Sequence, residues 1–256
     1  MTYRVLSLFA GIGGFDLGLE RTGGFKTVAF CEIDPFCRRV LARHWPGVPC
    51  YDDVRELTRA TLRGDGVRPN FICAGFPCQD ASVAQGPWGK RTGIDGARTG
   101  LWRDVVRLAA EILPDGMLLE NVPGLLSAGF GTVLGDLAEL GFDAEWHCIS
   151  ASAVGAPHRR NRLWIVAYPR RPRWERPEQY RCLRVADRPQ VPEHGHPFAN
   201  AGRAMANDLA HLRVEHGLPI GVERQRVRAL GNAVVPQIPE LIGRAIMVAD
   251  AGRLAA

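Results

Sequence analysis

The chain has 256 residues, 46% hydrophobic and 23% charged, enough for one well-cored domain and too few for two large ones. These proportions exclude a disordered chain, a collagen-like repeat and a disulfide mini-scaffold. The net charge is +5, and every basic residue except Lys26 and Lys90 is Arg. That balance admits a polyanionic partner, since the Arg fork suits phosphates and guanine edges, although a GC-rich genome would give the same bias. The seven Cys are scattered without zinc-ligand spacing. Met1 to Phe9 is too short and polar for a signal peptide, and no apolar run nears membrane-spanning length. The expectation is a soluble cytoplasmic chain, with no metal and no membrane.

Short apolar runs alternate with helical patterns, as in βαβ units around a mostly parallel sheet. Val5 to Phe9 predicts a strand, AGIGG follows at once, and Phe15 and Leu19 then share one face of a helix. A Gly-rich turn lets backbone approach a ligand, and the helix start behind it favours nucleotide-like groups; many such turns are glycine-rich for steric reasons alone. A second strand, Thr27 to Phe30, runs into Cys31, Glu32 and Ile33. An acid there either accepts hydrogen bonds from a ribose diol or merely faces solvent. Loop and acid together favour an adenosine-type ligand. Asp34-Pro35 marks a helix start, a capping carboxylate followed by Pro at the first helical position.

Phe71 to Ala74 predicts another strand, and GFPCQDAS places Cys78 just past its carboxyl end, where parallel sheets keep their sites. A Cys there is a nucleophile or an inert buried thiol. Asp80 to Gly100 holds five glycines with Trp88, Lys90, Arg91 and Arg98, the composition of a mobile cationic lid. Leu101, Val105, Leu108 and Ile112 then predict a core-facing helix stopping at Pro114. Met117 to Leu119 is a strand ending in Glu120 and Asn121, and a carboxylate after an apolar strand end can have a raised pKa. Phe130, Val133, Leu134 and Leu137 mark a helix ending near Gly141, and Leu163 to Ala167 a last strand. Just before it, APHRRNR sets Arg160 and Arg162 on one face of an extended chain, unless the run is a solvated basic loop.

From Tyr168 to Arg188 the chain carries seven Arg, no Lys and three acidic residues, and it reads as loop-rich through about Pro219. ALGNAVVPQI, with Gly231 and Asn232, precedes an amphipathic helix through Ile238, Leu241, Ile242, Ala245 and Ile246. The expected fold class is α/β, a mostly parallel twisted sheet with helices on both faces. Residues 1–167 are expected to form the core, 168–225 a small Arg/Pro-rich insert, and 226–256 a segment returning to the core.

In this order and spacing the motifs resemble those of the DNA cytosine-5 methyltransferases, particularly the compact bacterial and phage type, over residues 4–167 and 226–248. LSLFAGIGG looks like the family's donor loop, CEID its second-strand acid and YDDVREL its third donor motif. GFPCQ looks like the nucleophile motif, ENVPGLL the acid motif, HRRNR the Gln-x-Arg-x-Arg motif and RALGNAVVPQ the last two. The resemblance implies a Rossmann-like S-adenosylmethionine-dependent methyltransferase core with 168–225 as a small target-recognition region. It implies that Cys78 attacks C6 of a flipped cytosine, that Glu120 holds the ring by N3 and the amino group, and that Arg160 and Arg162 bind the target nucleotide and steady Glu120. Asn121 would position the cysteine loop.

For the donor, the resemblance assigns Phe9, Ala10, Gly11, Gly13 and Gly14 to methionine and adenine, and Glu32 with Ile33 to the ribose side. Asp53 and Val54 fall to the adenine, and Pro77, Asn232 and Val234 to the pocket wall. Ser82, Gln85, Lys90, Arg91, Arg98 and Arg159 would face DNA. Double-stranded DNA is the implied partner and S-adenosylhomocysteine the product; a monomer is implied, with a cognate restriction endonuclease as an admissible companion. Ser7 stands where many members have Asp, Ala81 where an aromatic is usual, and His158 where the family has Gln. Three other readings stay open: an RNA (tRNA) cytosine-5 methyltransferase with the same site, a catalytically silent DNA-binding regulator, and a nicotinamide oxidoreductase. The last leaves GFPCQ and HRRNR without a role, and a silent regulator would be expected to have lost Cys78 or Glu120.

Overall fold

The computed structural model describes residues 2–77, 100–127, 129–170, 226 and 229–254. Seven strands form one sheet: β1 (Tyr3–Leu8), β2 (Phe25–Cys31), β3 (Cys50–Tyr51), β4 (Phe71–Gly75), β5 (Gly116–Asn121), β6 (Phe142–Ser150) and β7 (Asn161–Pro169). Their order is β3-β2-β1-β4-β5-β7-β6, and every pairing is parallel except those made by β7. The helices are α1 (Gly14–Glu20), α2 (Pro35–His44), α3 (Arg59–Gly64), α4 (Leu101–Ile112), α5 (Phe130–Glu139) and α6 (Gln237–Leu254). The strand order reverses between β1 and β4, the switch point at which open α/β sheets keep their sites.

Side chains alternate across the sheet, so the central strands feed two cores. Leu6, Leu8, Ile72, Ala74, Met117 and Leu119 face α4 and α5, packing on Trp102, Val105, Leu108, Val133 and Leu137. Val5, Phe71, Cys73, Leu118 and Trp164 face the opposite way, onto Phe15 and Leu19 of α1 and Ile238, Ile242 and Ile246 of α6. Ile238, Ile242 and Ile246 thus bring one side of α6 into this second core. Burying apolar side chains on both faces contributes ~1.5–3 kcal/mol for each large residue, which explains the near-continuous apolar strands.

The local signals behave as their chemistry requires. Asp34 caps α2, its Oδ1 accepting from Phe36 N at 2.8 Å, with Pro35 opening the helix. Leu113 ends α4 with φ 55, directly before Pro114. The strand expected over Val5 to Phe9 instead ends at Leu8, because Phe9 turns into the left-handed region at φ 54. Between β1 and β2 the register slips, Val5 pairing Thr27 and Leu6 pairing Ala29, so that Val28 is the extra residue. Glu20 reaches this bulge and accepts from Thr27 N at 2.9 Å. β3, α3 and β6 lie outside the elements expected from the sequence. Beyond Arg170 the insert falls outside the described residues.

Candidate active site

The sheet's central carboxyl edge gathers the acid, its cations and the approach to the cysteine. Glu120, next to last in β5, lies on the α1-facing side, paired in register with Gly75 of β4 and Trp164 of β7. Arg162 lies two residues before Trp164, hence on the same face, and its Nε meets Glu120 Oε1 at 2.8 Å. The Glu120 side chain is only 12% exposed. Burial pushes its carboxyl above the usual range, opposed first by Arg162 and then by Arg160. Such a carboxyl can give a proton as well as take one.

Gly75 keeps room for that carboxylate. A Cβ there would stand 3.3 Å from Glu120 Oε2 and 3.7 Å from the Phe15 ring. Asn121 points to the opposite face and is 3% exposed. Its Nδ2 donates to the Phe76 carbonyl at 3.1 Å, while its Oδ1 accepts from Val122 N at 2.8 Å. One buried amide thus ties the end of β5 to the segment leaving β4, two residues before Cys78. Cys78 itself lies outside the described residues, as do Ser82, Gln85, Lys90, Arg91 and Arg98.

Arg160 shares the face of Arg162 but takes different partners. Its two terminal nitrogens donate to the carbonyls of Gly231 and Asn232, the latter at 3.0 Å. Burial first, and then the neighbouring Arg162, hold its pKa below the ordinary guanidinium value. The two arginines therefore part company: Arg162 grips the acid and Arg160 clamps the end of the helical stretch 229–232 that precedes α6. An open cavity of about 910 Å³ is lined by Arg160 together with Gly13, Leu17, Trp45, His158, Arg159 and Val234.

Most of the residues expected to hold the donor follow the carboxyl ends of β1, β2 and β3, with Pro77 after β4 and Asn232 and Val234 before α6. Phe9, Gly11 and Gly13 all have positive φ, at 54°, 55° and 85°. Glu32 fixes this turn, Oε2 accepting from Gly11 N at 2.7 Å and Oε1 from Asp34 N at 2.8 Å. Ala10 is buried, and Ile33 beside Glu32 is 66% exposed. Gly13 and Gly14 allow close packing, since a Cβ on Gly13 would meet the Trp45 ring at 2.5 Å and one on Gly14 would strike the Val234 carbonyl. Asp53 is gripped by Arg55, whose side chain and backbone hydrogen bonds hold the Asp53 carboxyl below its usual range. Val54 is buried, Pro77 half-buried and Asn232 exposed. A carboxylate with spare lone pairs, an exposed aliphatic side chain next to it and, among the described residues, open space over Gly11 fit an adenosine.

Two residues of this region were not singled out in the sequence: Gly75, which opens GFPCQ, and Asp16. Asp16 is fully buried on α1, accepting from Ser7 Oγ and Thr27 Oγ1, each at 2.9 Å. It places a carboxylate against Ser7, the position where the resembling family carries Asp. A helical acid on an otherwise apolar face was the available signal.

Comparison with known proteins bears on the family and the fold. The family model for C-5 cytosine-specific DNA methylases matches residues 3–197. The type II methyltransferase M2.BsuMI of Bacillus subtilis is 37% identical over 172 residues, 64% of this chain and 41% of that protein. M.CviJI of Paramecium bursaria Chlorella virus IL3A is 35% identical over 170 residues, 65% of this chain and 43% of its own. The chain thus spans about two-fifths of the length of these curated relatives. A solved structure of Spodoptera frugiperda DNMT2 shares the fold, with a TM-score of 0.55 and 22% identity over 68% of this chain and 52% of that one.

Proposed function

The chain belongs to the family of C-5 cytosine-specific DNA methylases, and from that premise we propose that it methylates C5 of cytosine in double-stranded DNA with S-adenosylmethionine as donor. The observation that carries this reading is the buried Glu120 carboxyl, held by Arg162 at 2.8 Å, on a strand whose next residue anchors the approach to Cys78.

In this reading the Cys78 thiolate attacks C6 of a cytosine swung out of the duplex, since the ring is out of reach inside the stack. Glu120 holds N3 and the exocyclic amine, and protonating N3 takes up the electron pair displaced as the thiolate adds to C6, leaving an enamine whose C5 is nucleophilic. Arg162 keeps Glu120 aimed, and Asn121 keeps the cysteine segment at its distance from β5. S-adenosylmethionine, when bound, supplies an electrophilic methyl group for C5. Phe9, Gly11, Glu32, Ile33, Asp53 and Val54 would hold its adenosine and methionine parts. Loss of the C5 proton and expulsion of Cys78 then restore the aromatic ring. The cationic segment from Asp80 to Gly100 and the Arg-rich insert would meet the DNA backbone.

The test is methyl transfer from labelled donor to duplex DNA and to tRNA, measured side by side. Label in DNA cytosine alone is the expected result. Label in tRNA alone would overturn the DNA assignment, and label in neither would overturn the activity.

A further inference from the structure

The turn carrying Asp53 and Val54 is held from a distant element. Glu56 N and Leu57 N both donate to Asp53 O at 3.2 Å, closing one short turn between β3 and α3. The carbonyls of Val54 and Leu57 lie at its edge, where no regular ladder continues. Arg107 of α4 supplies donors to both: its Nη2 reaches Val54 O at 2.8 Å and its Nη1 reaches Leu57 O at 2.9 Å. The same nitrogens bond Asp104 Oδ1 at 3.2 Å and Glu111 Oε1 at 2.9 Å. Four N–H groups of one planar fork are thereby committed. Glu111 adds a second tie, its Oε2 accepting from Arg59 N at 2.8 Å at the start of α3.

Asp104, Arg107 and Glu111 share one face of α4, at i, i+3 and i+7. The opposite face is fixed by Trp102, Val105, Leu108 and Ile112 in the core. The brace therefore runs from a rigid helix to an irregular turn about fifty positions earlier. Burial works against the Arg107 charge, and Glu111 and Asp104 together more than restore it, so that its pKa lies above the ordinary guanidinium value.

We infer that Arg107 is a positioning residue for the methyl donor, fixing the Asp53–Val54 turn against α4 so that the adenine end of the donor meets a preset site. The inference rests on the donor reading proposed above. Arg107 bonds the Val54 carbonyl, immediately after Asp53, whereas Glu120 and Asn121 sit on β5 beyond its reach. Its loss therefore separates donor binding from the chemical step. Lys cannot take its place, because one ammonium cannot span two carbonyls and two carboxylates in a fixed plane.

The experiment measures S-adenosylhomocysteine binding by calorimetry together with donor KM, DNA KM and kcat, on the full chain and on Arg107→Gln, Arg107→Lys and Glu111→Gln. Arg107→Gln should weaken product binding and raise donor KM by about tenfold, with kcat within twofold and DNA KM unchanged. Arg107→Lys should recover only part of this, and Glu111→Gln should shift the same two quantities by about two- to threefold. Unchanged donor KM in a folded Arg107→Gln protein overturns the inference, as does a fall in kcat with donor KM intact. If Arg107→Gln does not fold, Glu111→Gln decides by the same criterion. Failure of the unsubstituted chain to bind S-adenosylhomocysteine would overturn the donor reading itself, and loss confined to the variants' DNA KM would overturn the brace alone.

Discussion

At Glu120, burial and two guanidiniums pull one proton in opposite directions, and burial wins. A step that needs the protonated carboxyl is then complete at low pH and declines as pH rises through the raised pKa. Glu120→Gln should lower kcat by roughly 10²–10⁴-fold, the usual weight of a positioned acid. Replacing Arg162 with Met removes the larger of the two opposing charges, so the alkaline decline should move to higher pH even as the rate falls. Arg162→Lys, which keeps a charge, should move it less. Identical alkaline limbs in all three proteins would contradict this assignment of the acid. Asn121→Ala would leave the buried Phe76 carbonyl without its amide partner, at about 1–3 kcal/mol, and should depress kcat more than either KM. Gly75→Ala should also slow catalysis with little loss of stability, because among the described residues the added methyl crowds Glu120 Oε2 and makes only an ordinary contact with Phe15. A Gly75→Ala enzyme of full activity would show that Glu120 has room to spare.

Between elements, the joint of β1, β2 and α1 is made by polar groups inside an apolar core. Asp16 bonds Ser7 and Thr27, and Cys73 Sγ donates to Ser7 Oγ at 3.4 Å, so four elements meet at one carboxyl. Burial raises the Asp16 pKa from 3.8 to about 7, with Glu20 of the same helix adding to it and the two hydroxyls opposing it. The folded chain therefore holds this proton more tightly than the unfolded chain. Stability should fall as pH rises from 3.8 to about 7 and level off above that, at up to about 1.4 kcal/mol per pH unit. Asp16→Asn should flatten this slope in urea unfolding followed between pH 5 and pH 8; a slope unchanged by the substitution would place its origin elsewhere. Some elements were legible because their signals are local: Asp34-Pro35 carries its cap, and α4 repeats its apolar residues over three turns. β6 was not, since an edge strand reading FDAEWHCIS, buried only at Phe142, shows no clean alternation. Nor was the β1 end legible, because Phe9 is apolar yet turns out of the strand to begin the Gly-rich loop.

Across the whole molecule, the sequence placed the candidate residues by type and order, while their contacts depend on long-range register. The pairing of Glu120 with Arg162 follows from the antiparallel β5–β7 ladder, and Arg160 finds its carbonyl partners some seventy residues away. Nothing local announces either contact. Arg162 is committed to Glu120 and Arg160 to the carbonyls of Gly231 and Asn232, whereas Arg159 lines the open cavity and, under the proposed function, is expected to meet DNA. Binding to duplex DNA should accordingly weaken steeply with salt, and Arg159→Ala should reduce that salt dependence without changing donor KM. The measurement that bears most directly on the central claim is covalent trapping on duplex DNA carrying 5-fluorocytosine, with donor present, where the missing C5 proton arrests the adduct. A denaturation-stable protein–DNA band with the unsubstituted chain and none with Cys78→Ala is the predicted result. An equally strong band from Cys78→Ala, or none from either protein, would contradict it.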